Sequence, residues 1–252
     1  MRQVAPVVVS GGKVPPALRP QFDLAAKSLI PWRGKTLLEY AVEALLASSA
    51  ATRPIAVVGP EEARAPLVQY GDDVRWLQCG ETLMDNANIG LKFHGEGRTL
   101  LLLSPDLPVV TGGAVDSFVA AVPPEAEIAA PVITREQFLR RFPGAPNKFV
   151  PTADGEITMG SAFLITGRAL RMNIPLGQDA YRARKYPWRL AYIAGLKITW
   201  QLFTRRLNLD DVEARISKLC DAQVRAVFVD APELAYDVDV PENLEYLEEL
   251  GE

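Results

Sequence analysis

The 252-residue chain is 48% hydrophobic and carries a formal net charge of −4, from 27 Lys and Arg against 31 Asp and Glu. That is apolar material for one large α/β domain or two small ones, and nothing in the global charge favours nucleic acid as a partner. The only cysteines, Cys79 and Cys220, stand far apart without Cys-x-x-Cys spacing; this argues against a disulfide framework or a zinc site and for small buried hydrophobes.

In chain order, APVVVS (5–10) is a buried-strand candidate that breaks at Gly11-Gly12. TLLEYAVEALLAS (36–48) places Leu37, Leu38, Ala41, Val42, Leu45 and Leu46 at helical spacing. RPIAVVG (53–59) and VRWLQC (74–79) are strands on either side of a broken helix. TLMDNANIGLKF reads as a helix, RTLLLLSPDLPVV (98–110) as a central strand stopped at Ser104-Pro105, and GGAVDSFVAAV as a helix opening. EIAAPVI (127–133), SAFLIT (161–166) and RAVFVD (225–230) are further strands, and YDVDVPENLEYLEEL turns into a last helix. Strands alternating with helices predict an α/β fold, a mostly parallel central sheet with helices on both faces. No repeat or linker divides it, so one domain is expected, with an inserted loop at about 134–160 and a helical insertion at about 178–220. The apolar run before the glycines is too short for a secretory leader, and no run approaches the ~20 residues of a membrane span; a cytoplasmic protein is expected.

Three phosphate-binding devices compete for the opening segment. A dinucleotide fingerprint needs Gly-x-Gly-x-x-Gly running straight into a helix, but Val14-Pro15-Pro16 follows the glycine pair. A Walker A loop ends as Gly34-Lys35-Thr36 does, yet Leu29 holds its first glycine position and the preceding element is a proline loop. The third device is an open glycine turn whose backbone N–H groups hold a triphosphate, with basic side chains supplied by the following loop.

The segments VVVSGG, LRP, AKSLIPWRGKTLLEYAVEAL, LLSPDLP and DVDVPENLEYLEEL, in that order across nearly the whole chain, resemble the nucleotidyltransferase superfamily that includes the molybdenum-cofactor guanylyltransferase-like and sugar-phosphate nucleotidyltransferases. Ser10 stands where that family usually has alanine. The resemblance implies a single Rossmann-like, GT-A-like domain that transfers a nucleoside monophosphate from an NTP to a phosphorylated acceptor and releases pyrophosphate, with Mg²⁺ as cofactor. It implies nucleotide contacts from Ser10, Gly11 and Gly12, catalytic charge from Lys27 and Arg19, and a metal-ligating carboxylate at Asp106. Asp106 ends an apolar strand, where ligands of open α/β sheets bind, and hard oxygen donors suit Mg²⁺. Asp237 and Asp239 complete the metal set; alternation along an extended segment puts both on one face, although Asp239 is also placed to cap the helix opened by Pro241.

CGETLMDNANIGLKF resembles the family's nucleobase loop, implying contacts from Gly80, Glu81, Thr82 and Asn86, while Thr82 is equally a helix cap. Thr158, Gly160 and Ser161 fall on the acceptor side by family position. His94, the sole histidine, reads as a surface residue. Two rivals stand beside the transferase reading: a GT-A glycosyltransferase using Asp237-x-Asp239 on a nucleotide-sugar, and a non-catalytic nucleotide-binding protein of the same fold.

The segment 181–206 holds seven Lys or Arg and no acid. Ile193, Leu196, Trp200 and Phe203 recur there at helical spacing, which favours a core-facing stripe on a helix packed against the sheet. The alternative is a basic, aromatic helix in peripheral contact with a membrane, where a lipid-precursor phosphate would be the acceptor.

Overall fold

A computed structural model describes residues 2–183 and 195–251. The first apolar run forms β1 (Ala5–Val9), and a short hairpin of β2 (Pro31–Trp32) and β3 (Lys35–Thr36) leads into α1 (Leu37–Ala47). Then come β4 (Ile55–Gly59), two 3-10 turns, β5 (Val74–Gln78), α2 (Leu83–His94), β6 (Thr99–Leu103), α3 (Gly112–Ala121) and β7 (Ile128–Thr134). The expected loop at 134–160 instead contains α4 (Arg135–Arg141) and a hairpin of β8 (Val150–Thr152) and β9 (Gly155–Met159). The chain continues through β10 (Ala162–Thr166), α5 (Gly167–Ala183), α6 (Leu196–Phe203), α7 (Leu209–Cys220), β11 (Val224–Phe228) and α8 (Pro241–Leu250).

Among the described residues, nine strands form one mixed sheet in the order β5-β4-β1-β6-β10-β7-β9-β8, with β11 also pairing β7. It is mostly parallel; β9 and β10 run against the rest. The central strands read as unbroken apolar runs because helices cover both faces. Leu38, Val42 and Leu45 of α1 and Val115, Phe118 and Val119 of α3 pack on one face. Ala87 and Leu91 of α2 and Ala169 and Leu170 of α5 pack on the other, over Val7, Val58 and Leu100. Burial of each large apolar side chain contributes roughly 1.5–3 kcal/mol.

A third apolar cluster bears most directly on function. Val14 and Leu18 of the proline-rich loop, Ile30, Trp32, Phe138, Phe142, Tyr236 and Leu244 bury together. The loop between the glycine pair and α1 is therefore pinned by its own apolar residues, and the segment before α8 is anchored beside it through Tyr236, whose hydroxyl donates to the Asn243 carbonyl at 2.8 Å.

The expected core stripe at 193–203 is overturned. Leu196 is 91% exposed, Trp200 67% and Phe203 83%, while Ile198 is buried at 7%; Ile193 and the rest of 184–194 lie outside the described residues. Helical spacing identifies a face but not the direction in which it points. His94 also departs from the surface reading: it ends α2 half-buried, with Nε2 3.0 Å from the Pro6 carbonyl oxygen. Burial holds its imidazole below the ordinary histidine value. Among the described residues, no helix is long and apolar enough to cross a membrane.

Candidate active site

β1 ends at Val9, and the chain turns through Ser10, Gly11 and Gly12 at the C-terminal edge of the sheet. The Ser10 amide donates to the Val58 carbonyl at 2.8 Å, and its hydroxyl meets that of Ser28 at 2.6 Å. Ser10 is thus fully buried and braces the turn from beneath, with no polar side-chain group facing a nucleotide. Gly11 and Gly12 are exposed. A Cβ on Gly11 would lie 3.1 Å from Asn86 Nδ2, whereas one on Gly12 would meet nothing within 4 Å. The Lys27 amide donates to the Gly12 carbonyl at 2.9 Å and closes the loop on itself.

This closure carries the Lys27 side chain inward. Its ammonium donates to Asp106 Oδ2 and, at 2.6 Å, to Asp239 Oδ1. A solvated loop lysine is therefore ruled out. Burial opposes the charge on Lys27, but Asp106 and Asp239 more than offset it and hold the ammonium above the ordinary lysine value. Asp106 follows β6 and is buried; its second oxygen accepts from the Ser104 hydroxyl. Asp237 and Asp239 come from the segment before α8, where Val238 between them is fully buried and turns both acids the other way. Asn243 Oδ1 accepts from the amides of Asp239 at 3.1 Å and Val240 at 3.0 Å. The side chain of Asn243 thus organises the start of α8, and the Asp239 carboxylate is left to Lys27.

Carboxylate oxygens of Asp106, Asp237 and Asp239 all lie within 4.8 Å of one another. The electrostatics reflect the crowding. Burial, then Asp106 and Asp239, push the Asp237 carboxyl up to about 7. Burial works against ionisation of Asp239 as well, but Lys27 holds it below the usual carboxylate value. Three hard oxygen donors with one lysine between them fit a divalent cation such as Mg²⁺.

The other expected residues divide. Asn86 is buried, and its Oδ1 accepts from the Gly80 amide at 2.8 Å while its Nδ2 lies against Gly11. It therefore couples the Gly11-Gly12 turn to the loop at 80–82. Thr82 caps α2 in a reciprocal box with Asp85, accepting from the Asp85 amide at 3.1 Å. Gly80 and Glu81 are exposed above it. Arg19 does not join the Lys27 cluster; its Nε donates to the Val14 carbonyl at 3.1 Å within its own loop. A cavity of about 550 Å³ opens beside Asp237 and Asp239 and is lined also by Asn147, Lys148, Val150, Thr158, Met159 and Tyr236. Thr158 thus reaches this space. Gly160 and Ser161 are not among its lining residues; their amides donate to Pro131 and Leu234 carbonyls at 2.9 and 2.7 Å. Ser104, Lys148 and Asn243 were not anticipated. Only Ser104, two residues before an expected ligand at a strand end, carried a local signal.

An ammonium held among clustered carboxylates thus stands beside an exposed glycine turn at the carboxyl edge of a mostly parallel, Rossmann-like sheet, and the family match makes the chain a nucleotidyltransferase. The chain belongs to the family described as the MobA-like NTP transferase domain, whose model matches residues 7–196. That match includes Lys27 and Asp106 and stops before Asp237 and Asp239. Among solved structures, a hypothetical transferase from Thermus thermophilus superposes with a TM-score of 0.81 at 29% identity, covering 97% of this chain and 100% of its own. A nucleotidyl transferase from Methanothermobacter superposes at 0.59 with 15% identity, over 99% and 98% of the two chains. A CMP:2-keto-3-deoxy-manno-octonic acid synthetase complexed with CTP superposes at 0.62 with 13% identity, over 100% and 98%. At these two lower identities the likeness is one of fold. No curated protein matches the sequence.

Proposed function

We propose that the chain transfers a nucleoside monophosphate from an NTP to a phosphorylated small-molecule or lipid-precursor acceptor. The observation that carries this reading is Lys27, whose amide closes the Gly11-Gly12 turn, bridging Asp106 and Asp239 through its ammonium. An acceptor phosphate oxygen forms a bond to the α-phosphorus, the bond from that phosphorus to the bridging oxygen breaks, and its electron pair leaves with pyrophosphate. Catalysis of such a step rests on positioning and on neutralising the equatorial oxygens. Asp106, Asp237 and Asp239 would hold Mg²⁺, which supplies charge neutralisation at the triphosphate when bound.

The chain's own groups do the rest. The exposed amides of Gly11 and Gly12 donate to β- and γ-phosphate oxygens; with no Cβ in the way, the backbone is free to approach closely. The Lys27 ammonium, kept protonated by its two acids, offsets charge on the α-phosphoryl group. Gly80, Glu81 and Thr82 form the rim on which the base rests, held in register with the phosphate turn by Asn86. Arg19 is left to the outer loop, and Thr158 with Lys148 borders the acceptor in the cavity beside Asp237.

The test is pyrophosphate release from each of four NTPs against a panel of phosphorylated acceptors, with nucleotide-sugars as a parallel arm. Pyrophosphate formation that requires both NTP and acceptor is expected. Turnover of a nucleotide-sugar alone supports the glycosyltransferase instead, and nucleotide binding without turnover in either arm supports the non-catalytic binder.

A further inference from the structure

α6 is mounted inside out. Lys197 Nζ donates to Asp211 Oδ1 and Gln201 Nε2 to Asp211 Oδ2, both at 2.6 Å, which ties its polar side to α7, and Ile198 is its one buried residue. The opposite side presents Leu196, Trp200 and Phe203, at positions i, i+4 and i+7 of one face. Trp200 and Phe203 lie with ring centroids 6.1 Å apart. A contiguous apolar stripe this open on a soluble fold marks an interaction surface.

We propose that α6 is an interfacial docking helix that seats the enzyme on an anionic lipid surface. Charge selects this occupant. The stripe is followed by Arg205 and Arg206, both exposed and without an ion pair among the described residues; the sequence 181–206 holds seven Lys or Arg and no acid, of which Lys197 is spent on Asp211. A second copy of the chain meeting the stripe in a two-fold contact would set basic segment against basic segment; an anionic surface complements it. The geometry is also that of a shallow contact. Eight residues span roughly 12 Å of helix, suited to lying within a headgroup layer rather than crossing it. The docking helix leads to the cavity wall: the Ala153 amide donates to the Leu207 carbonyl at 2.9 Å, attaching the connection between α6 and α7 to the β8–β9 hairpin whose Val150, Thr158 and Met159 line the cavity. The surface role stands whether or not nucleotidyl transfer is the reaction.

The experiment is co-sedimentation of the full chain with phosphatidylglycerol-containing vesicles and with pure phosphatidylcholine vesicles, at low and at about 0.15 M salt. Selective binding to the anionic vesicles, weakened by salt, is expected. A Trp200→Ser, Phe203→Ser double variant should bind about tenfold more weakly with an unchanged circular dichroism spectrum. Arg205→Glu with Arg206→Glu, which leaves the apolar face intact, should do the same if the double variant misfolds. Equal binding to both vesicle types, no binding to either, or wild-type binding by a folded variant overturns the proposal. So does a dimer, seen by analytical ultracentrifugation, that the double variant dissolves, because the stripe then belongs to a second copy.

Discussion

The backbone N–H of Val238 donates to the carbonyl oxygen of Asp106 at 3.1 Å. This one hydrogen bond clips the C-terminal acidic segment to the end of β6. Because Val238 points into the core, Asp237 and Asp239 on either side of it must point back toward Asp106. The carboxylate cluster is thus a consequence of main-chain pairing, and like charge is held together by a buried valine and a neighbouring lysine.

Asp106→Ala should leave a folded protein whose kcat/KM for NTP falls by at least about a hundredfold, since a charge aimed at the transition state is lost. The measurement is pyrophosphate release alongside a thermal melt. Near-wild-type turnover by the folded variant at saturating Mg²⁺ removes Asp106 from the metal set.

Lys27→Ala separates two effects. Without the ammonium, three carboxylates face one another, and the metal-free protein should lose about 3 kcal/mol of stability by urea unfolding. A divalent cation should recover much of it, while kcat/KM stays low. Lys27→Arg should restore activity only in part, because a planar fork does not replace a compact ammonium. Unchanged kcat/KM in the alanine variant makes Lys27 structural only.

Asp237 sets a pH dependence whose sign is fixed. Its folded value, near 7, lies above the 3.8 of the free carboxyl, so the metal-free fold holds the extra proton between those values and loses stability as pH rises through that window. Asp239, held below 3.8, titrates outside it. Divalent cations bind the deprotonated set, so the Mg²⁺-induced rise in Tm should be small at pH 5.5 and largest at pH 8. A rise independent of pH, or an Asp237→Asn variant with the wild-type profile, contradicts the assignment.

Gly12→Ala isolates the phosphate turn. A Cβ there meets nothing in the protein, so stability should change by less than about 0.5 kcal/mol. The NTP KM should nevertheless rise at least about tenfold, because the methyl group occupies space the triphosphate needs. An unchanged KM reduces the glycine pair to an ordinary turn.

Much of this was readable in advance, for reasons that differ by element. β1 and β6 are covered on both faces and appear as plain apolar runs, and α1 shows its period because one side is buried. The resemblance named Asp106, Lys27, Asp237 and Asp239, which the fold brings together, and alternation puts Asp237 and Asp239 on one face. α4 and the β8–β9 hairpin escaped because their prolines, glycines and charges mimic a loop, and β9 is fixed in the sheet by pairing with β7, outside the hairpin. The face of α6 reads the wrong way round from sequence because periodicity carries no information about which side meets the core. Lys148 has no local pattern at all; it borders the cavity only because its loop folds back toward Asp239.

The ion pairs of Lys27 reach 79 residues forward to Asp106 and 212 residues forward to Asp239. A nascent chain leaving the ribosome therefore carries the glycine turn and β6 long before Asp237 and Asp239 exist. Lys27 meets only one of its two partners until residues 237–239 emerge. A chain that stops short of residue 237 supplies Asp106 alone and cannot assemble the three-carboxylate set.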